Sequence, residues 1–293
     1  MPAAEIDLSL DLVRSLLADQ QPDLAHLPLE VMANGWDNLM CRLGRELVIR
    51  LPRRALAADL LLHEQRWLPL LAPRLPLPIP APVRLGRPAA GYPWYWSIVP
   101  FLPGQVAARH PPAEPRDAAV SLGRFLGALH VPAPADAPAN TVRGVPLADR
   151  SEAVTDRLSR LDGVLDCAAA IGVWETAIAV PPWSSEPVWL HGDLHPANIL
   201  VSQGRISAVI DFGDITSGDP ATDLSVAWMM LPAGCHGLFR DAYGSSNGRA
   251  ISDGTWTRAK GWALSLSLAI LANSADNQLM AEIGHRTAGA VLA

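Results

Sequence analysis

Between positions 188 and 214 the chain gathers side chains able to do chemistry. The stretch VWLHGDLHPANILV carries His191, Asp193, His195 and Asn198, and ISAVIDFGD a few residues later carries Asp211 and Asp214. NILVS (198–202) and ISAVID (206–211) read as strands with QGR as the turn between them. With the turn centred near 204–205, antiparallel pairing sets Asn198 opposite Asp211 at the open end, and Asp193 lies at the tip of the preceding loop. An amide oxygen and a carboxylate so placed suit Mg²⁺, a hard cation that keeps waters or substrate phosphates in its other positions. A further carboxylate just outside the metal could accept a hydroxyl proton. Neutralised phosphates beside a positioned proton acceptor are what phosphoryl transfer requires. Two other readings stay open. His191, Asp193 and His195 alternate, so in an extended strand they would share a face and could ligate zinc, although Gly-Asp and His-Pro favour a turn. For His191, a strand-end histidine satisfied by backbone is the plainer expectation.

Such groups need a scaffold, and the pattern along the chain changes near residue 103. Residues 7–20 carry Leu10, Val13, Leu16 and Leu17 at helical spacing, with Asp7 available as a cap. LEVMA, LMCRL and ELVIRL, punctuated by NGWDN and GRE, predict consecutive antiparallel strands. A helix over about 57–72 follows, then a Pro-rich run, a further strand, and an aromatic, β-branched strand within YPWYWSIVPFL that ends near Leu102. Beyond PGQ (103–105) the pattern is helical: 115–130, 149–180, 220–231, 236–243, 254–273 and 275–291. VPAPADAPAN (131–140) reads as a stiff surface connection. The expectation is a two-lobed α+β fold, with a small antiparallel sheet and one main helix in 1–102 and a larger, mostly helical lobe in 103–293.

Composition bounds the rest. At 293 residues, 49% hydrophobic and 18% charged, the chain suits a globular protein with a large core. No apolar run is long enough for a membrane span, and the acidic start MPAAEIDLSLDLVRSL lacks the features of a secretory signal. Cys41, Cys167 and Cys235 are odd in number and widely spaced, which points to a reducing cytoplasm. Net charge is −6, and the surplus acid lies entirely after residue 102. No basic stripe is present, so a nucleic-acid partner is not expected.

HGDLHPANIL followed by VIDFGD resembles the catalytic motif of the aminoglycoside phosphotransferase family, whose fold is similar to that of protein kinases. His191-Gly192-Asp193 separates this branch from kinases acting on proteins, which have His-Arg-Asp. Ala197 stands where the family most often has glycine. The resemblance implies that Asp193 is the catalytic base and that Asn198 and Asp211 hold Mg²⁺. It extends over nearly the whole chain. LVIRLPRR matches the strand whose basic residue grips the α/β-phosphates of ATP or GTP, here Arg50, and Glu64 on the next helix would orient it. An arginine there differs from lysine in geometry. Gly35, in MANGWDNLM, falls in the loop that covers the phosphates. Pro100 and Leu102, in SIVPFLPG, match the linker that meets the base edge, Pro100 through its C=O and Leu102 through its N–H.

Only eight residues separate Asp211 from Pro220, so no phosphorylatable activation segment is expected. Asp219 and Asp223, in GDPATDLSVAW, are expected to cap a helix and brace the catalytic loop. The resemblance further implies a small-molecule hydroxyl as acceptor: an aminoglycoside or another antibiotic, or a metabolite such as choline, homoserine or a sugar. A catalytically silent nucleotide-binding module of the same fold is the alternative from another class. The acids expected near the acceptor cleft are thinly spread (Asp214, Asp241, Asp253, Asp276, Glu282), and about two of the six tryptophans after residue 170 are expected to reach a ligand.

Overall fold

The computed structural model describes residues 4–35, 37–274 and 276–293. Trp36, within the NGWDN turn, and Ala275, where the last helix is predicted to start, lie outside the described residues. Two compact units are present: Met1–Pro73, Pro78–Pro103 and Asp211–Gly213 form one, and Arg74–Leu77, Gly104–Ile210 and Asp214–Ala293 the other.

The first unit begins with α1 (Leu10–Gln20), which is capped by Ser9 rather than Asp7: the Ser9 Oγ accepts from the Leu12 N–H at 3.2 Å. Next come β1 (Leu29–Asn34), β2 (Asn38–Leu43), β3 (Leu47–Pro52), α2 (Ala55–Leu71), β4 (Arg84–Gly86) and β5 (Trp96–Pro100). The strands form one antiparallel sheet in the order β1-β2-β3-β5-β4. The two-residue period sorts side chains between its faces. Leu39, Cys41, Leu43, Ile49, Leu51, Trp96 and Ile98 pack with Val13, Leu16 and Leu17 of α1. The opposite face takes α2, whose Gln65 Nε2 donates to Ser97 Oγ and to the Trp96 carbonyl, each at 3.0 Å. Arg50 alternates with Ile49 and Leu51 and therefore points to the α2 face. A buried charge there costs several kcal/mol unless paired, so α2 must supply a carboxylate.

The second unit contains β6 (Gln105–Val106), α3 (Pro115–Leu129), α4 (Ser151–Arg160), α5 (Cys167–Ile178), β7 (Val188–Leu190), β8 (Ile199–Ser202), β9 (Arg205–Val209) and β10 (Thr216–Gly218). It continues with α6 (Ala221–Leu224), α7 (Val226–Met230), α8 (His236–Asn247), α9 (Asp253–Asn273) and α10 (Gln278–Leu292). The single helix predicted over 149–180 is two helices. Gly163 at φ +76° follows α4, and Asp166 caps α5, its Oδ1 accepting from the Ala169 N–H at 3.0 Å. The helix predicted over 220–231 also divides, at Ser225, whose Oγ donates to the Thr222 carbonyl at 2.6 Å. α9 is buried on every side over much of its length and packs against α4, α5, α6, α7 and α10.

Besides the hairpin and the strand that runs up to His191, the second unit holds two short strands absent from the sequence reading, β6 and β10. β6 pairs with β8, and β10 pairs with β7. The hairpin turn is Gln203-Gly204, with both residues at positive φ (51° and 74°), the signature of a two-residue primed turn. A register shift between Leu200 and Val201 absorbs Ser207. Ile199 then pairs with Val209, and the Asn198 carbonyl accepts from the Ile210 N–H at 2.9 Å. Asn198 therefore lies opposite Ile210, one residue short of the expected Asp211. It ends a 3₁₀ turn (Pro196–Asn198) rather than starting the strand.

Candidate active site

The loop carrying Asp193 is held by its backbone. As β7 ends, the His191 N–H donates to Asp223 Oδ2 at 2.7 Å and the Gly192 N–H to Asp223 Oδ1 at 3.0 Å. One buried carboxylate thus satisfies two consecutive amides, the bracing role expected of Asp223. Asp223 Oδ2 also meets His130 Nε2 at 3.2 Å, and His130 Nδ1 meets the Tyr243 hydroxyl at 3.2 Å. Burial opposes the Asp223 charge, but its bonds to His130 and to the His191 backbone outweigh that and hold its pKa below the usual carboxylate range. Asp219 caps α6 as expected, with Oδ1 accepting from the Ala221 N–H at 3.0 Å, and also pairs with Arg258 of α9 at 2.6 Å.

Gly192 has φ +87°, and a Cβ there would collide with the Asp214 carbonyl oxygen, so a glycine between His191 and Asp193 is a backbone requirement. His191 is structural: its Nε2 lies 2.9 Å from the Ile210 carbonyl and its Nδ1 accepts from the Asp193 N–H at 3.2 Å. With both ring nitrogens engaged it is not disposed to ligate zinc. Among the described residues no group of three His, Cys, Asp or Glu side chains is arranged to hold a metal ion.

Asp193 itself is part-exposed, its side chain 30% accessible. Oδ1 accepts from Arg143 Nη2 at 2.6 Å, and Oδ2 lies 3.4 Å from His195 Nε2. Burial disfavours the charge, but His195, Arg143 and His191 together hold the carboxyl well below the ordinary carboxylate range. Its backbone carbonyl accepts from Asn198 Nδ2 at 2.9 Å, and His195 Nε2 is 3.4 Å from the same nitrogen. Both contacts engage the amide nitrogen, so Asn198 is oriented through the atom that a hard cation does not use. Asp211 directly follows Ile210 and has φ +65°, a conformation rare outside glycine.

Arg143 was absent from the sequence reading. It lies in irregular chain between the Pro/Ala stretch and α4, fifty residues before its partner. Its loop is pinned at several points. Asn140 Oδ1 accepts from the Val142 and Arg143 N–H groups at 2.9 and 3.1 Å, and Asn140 Nδ2 donates to Asp214 Oδ1 at 2.9 Å. The Gly144 N–H donates to Thr222 Oγ1 at 3.2 Å. Burial and then the neighbouring Asp193 push the Asp214 carboxyl up. A cavity of about 240 Å³ opens beside Asp193 and Arg143, walled by Leu194, Met229, Leu266, Ile270 and Met280. Among the described residues no tryptophan lines it: Trp189, Trp228 and Trp262 are buried core, Trp256 stacks on Trp228 at 4.4 Å between centroids, and Trp174 and Trp183 line other cavities. Of the acids expected near the acceptor, Asp253 is paired with Arg240 at 2.8 Å and Glu282 with Gln278 at 2.9 Å.

In the first unit, Arg50 and Glu64 form a two-point pair, Nη1 to Oε2 and Nη2 to Oε1, the latter at 2.9 Å. Both are nearly inaccessible, at 6% and 2%. Burial lowers the Arg50 pKa, but Glu64, Asp211 and Asp37 outweigh it, and the guanidinium is held above its usual value. The segment around Gly35 is tied to the end of β3. The Gly35 N–H donates to the Asn38 carbonyl at 2.9 Å, and its own carbonyl accepts from Arg53 Nη1 at 2.8 Å. At the end of β5 the Phe101 N–H donates to the Glu46 carbonyl at 2.6 Å, and the Ile98 carbonyl accepts from Val83 on the opposite side. By strand alternation the Pro100 C=O and Leu102 N–H share the side of Ile98, beyond the end of β4.

Comparison with known proteins places this geometry. The model of the phosphotransferase enzyme family matches residues 28–262. An aminoglycoside 3'-phosphotransferase from Escherichia coli is 36% identical over 59 residues, which span 20% of this chain and 22% of that relative's length. The GDP and kanamycin complex of APH(2")-IIia superposes with a TM-score of 0.67 at 21% identity, covering 96% of this chain and 98% of that one. The apoenzyme of macrolide 2'-phosphotransferase MphH from Brachybacterium faecium gives a TM-score of 0.61 at 25% identity, covering 96% and 97%. The fold is thus the two-lobed, protein-kinase-like one that the motif implied, and with most of its length matched the chain belongs to the phosphotransferase enzyme family.

Proposed function

We propose that the protein transfers the terminal phosphoryl group of ATP or GTP to a hydroxyl of a small molecule. The observation that carries this is Asp193: an ionised, part-exposed carboxylate on a loop whose backbone is clamped by Asp223. Asp193 takes the proton of the acceptor hydroxyl as the oxygen bonds to the γ-phosphorus. The bond from that phosphorus to the β-phosphate oxygen breaks, and the nucleoside diphosphate leaves. Catalysis of this kind is mostly positioning and charge compensation. Arg50, oriented by Glu64, binds phosphate oxygens. Gly35 lies in the loop over them, and Pro100 and Leu102 offer an acceptor and a donor to the base. Residues 1–102 accordingly serve the nucleotide, and 103–293 the acceptor and the chemistry.

Mg²⁺ fits the donor set, because Asn198 presents an amide oxygen its own hydrogen bonds leave unspent and Asp211 a carboxylate. When bound, the ion neutralises charge on the phosphates. The names of the structural neighbours support an antibiotic as acceptor, and a hydroxyl metabolite is the alternative. Among the described residues no helix is long and apolar enough to cross a membrane. The three widely spaced, free cysteines support a reducing compartment, and we propose the cytoplasm.

One observation favours a second reading, a nucleotide-binding module without turnover: Arg143 occupies the Asp193 carboxylate. Transfer of label from γ-labelled ATP and GTP, with Mg²⁺, to aminoglycosides, macrolides, choline, homoserine and sugars separates the two. The enzyme reading predicts labelled product with at least one acceptor, or slow acceptor-free hydrolysis. Nucleotide-dependent thermal stabilisation with neither would contradict it.

A further inference from the structure

Arg143 is the lone arginine or lysine among the described residues lining the cavity beside Asp193, which His195 also lines. Its Nη2 holds Asp193 Oδ1 at 2.6 Å, while its buried Nε–H has no hydrogen-bond partner among the described residues. A guanidinium donates along two edges, and a carboxylate bound bidentately would use Nε together with an Nη. The present pair uses one point of contact and is 20% and 30% exposed, so exchanging Asp193 for another anion costs less than breaking a fully buried pair would. The loop would not need to follow, because Asn140 and Thr222 hold the backbone on either side of Arg143. While the pair stands, Oδ1 is occupied by a cation and poorly placed to take a hydroxyl proton. Removal of Arg143 to an incoming anion would leave that oxygen free.

The remaining surroundings agree. Leu194, Met229, Leu266, Ile270 and Met280 give the cavity a largely apolar wall, with His195, Asn273 and Ser274 adding polar groups and Asp193 the only carboxylate among the described lining residues. About 240 Å³ is below the range of pockets that enclose drug-sized ligands, so the portion of the acceptor inserted here is small. Arg150 and Arg157 add positive charge nearby. Burial and then Arg143 lower the Arg150 pKa, and burial, Arg150 and Arg143 lower that of Arg157. Asp149 and Asp156 partly offset these two arginines, and Asp214 lies near Asp193, but within the cavity lining a cation would meet Arg143 and one carboxylate already paired with it.

We propose that Arg143 selects the acceptor: the cavity takes a small hydroxy acid with an apolar body, whose carboxylate binds Arg143 in place of Asp193 and so releases Asp193 to receive the hydroxyl proton. This inference rests on the phosphotransferase reading and narrows it. The proton, once on Asp193, balances the new bond from the substrate oxygen to phosphorus and the departure of the nucleoside diphosphate.

The test uses the full chain with Mg²⁺ and γ-labelled ATP or GTP. The acceptors are mandelate, 3-phenyllactate and 2-hydroxyisocaproate, each beside its methyl ester and its matched amino alcohol, with kanamycin as a polycation. The expected result is a kcat/KM at least about tenfold higher for acids than for their esters, as loss of a charge-assisted hydrogen bond implies, and lower still for the amines. In Arg143→Gln the acid-to-ester ratio falls to about one, while nucleotide-dependent thermal stabilisation shows that the variant is folded. Equal or better transfer to esters, amino alcohols or kanamycin overturns the inference and leaves the phosphotransferase reading standing. Nucleotide binding with neither transfer to any acceptor nor hydrolysis removes that reading, and the inference with it.

Discussion

Two arginine–carboxylate pairs occupy the two units, and they are built differently. Arg50–Glu64 joins a strand to a helix through two parallel bonds with almost no solvent access. Arg143–Asp193 joins two loops through one bond and remains part-exposed. A buried pair is costly to break, because the survivor is left charged and desolvated. An exposed pair contributes little and exchanges readily. The same two functional groups therefore give a fixed cation, proposed to bind phosphate, in one unit and a cover on the proposed base in the other.

Breaking the buried pair should have the largest effect on stability. Glu64→Gln leaves Arg50 short of its main counter-charge, and the expected loss is about 3–5 kcal/mol, read by denaturant unfolding, with a raised KM for nucleotide. A loss below about 1 kcal/mol would put this pair in the exposed class and erase the contrast.

The support beneath the exposed pair comes next. Asp223→Asn removes one of the acceptors for the His191 and Gly192 amides, at an expected cost of about 1–3 kcal/mol near neutral pH. The sign of the pH dependence follows from its lowered pKa. A carboxylate with a depressed folded-state pKa contributes stability that is fully present above its unfolded value, about 3.9, and is lost as pH falls below that toward the folded value. The stability difference between parent and variant should thus be level at neutral pH and close on acidification below about 4. A difference that grows in acid would contradict this assignment.

The smallest effect belongs to the exposed pair itself. Arg143→Gln should change unfolding free energy by less than about 1 kcal/mol, in the same assay that reports the Glu64 loss. A cost comparable to that of Glu64→Gln would make Arg143–Asp193 structural and sharpen the case for a silent module.

Legibility in the sequence followed the same division. Arg50 and Glu64 sit on a strand and a helix that the pattern predicts, but it was the resemblance of those segments to the family that singled the two residues out. Asp193 and Asn198 lie within one short motif. Arg143 has no such mark: its chain segment is irregular and its partner is fifty residues away, so only the folded loop brings them together. Asn198 lies one residue short of Asp211 because the turn sits at Gln203-Gly204, a residue earlier than expected, which alone would pair Asn198 with Val209; the shift between Leu200 and Val201 restores one of the two residues. β6 and β10, of two and three residues, are too short for a period to show. The break at 161–166 was readable in LDGVLD, where a glycine stop precedes an aspartate cap, but the helical periodicity on either side obscured it.

Turnover of Asp193→Asn addresses the central claim most directly. The amide keeps the shape of the side chain but cannot accept the proton, so the rate of phosphoryl transfer at saturating Mg²⁺ and nucleotide should fall by about 10²–10⁴-fold, with nucleotide affinity in the same samples unchanged. Transfer within a few-fold of the parent enzyme would show that Asp193 is not the proton acceptor.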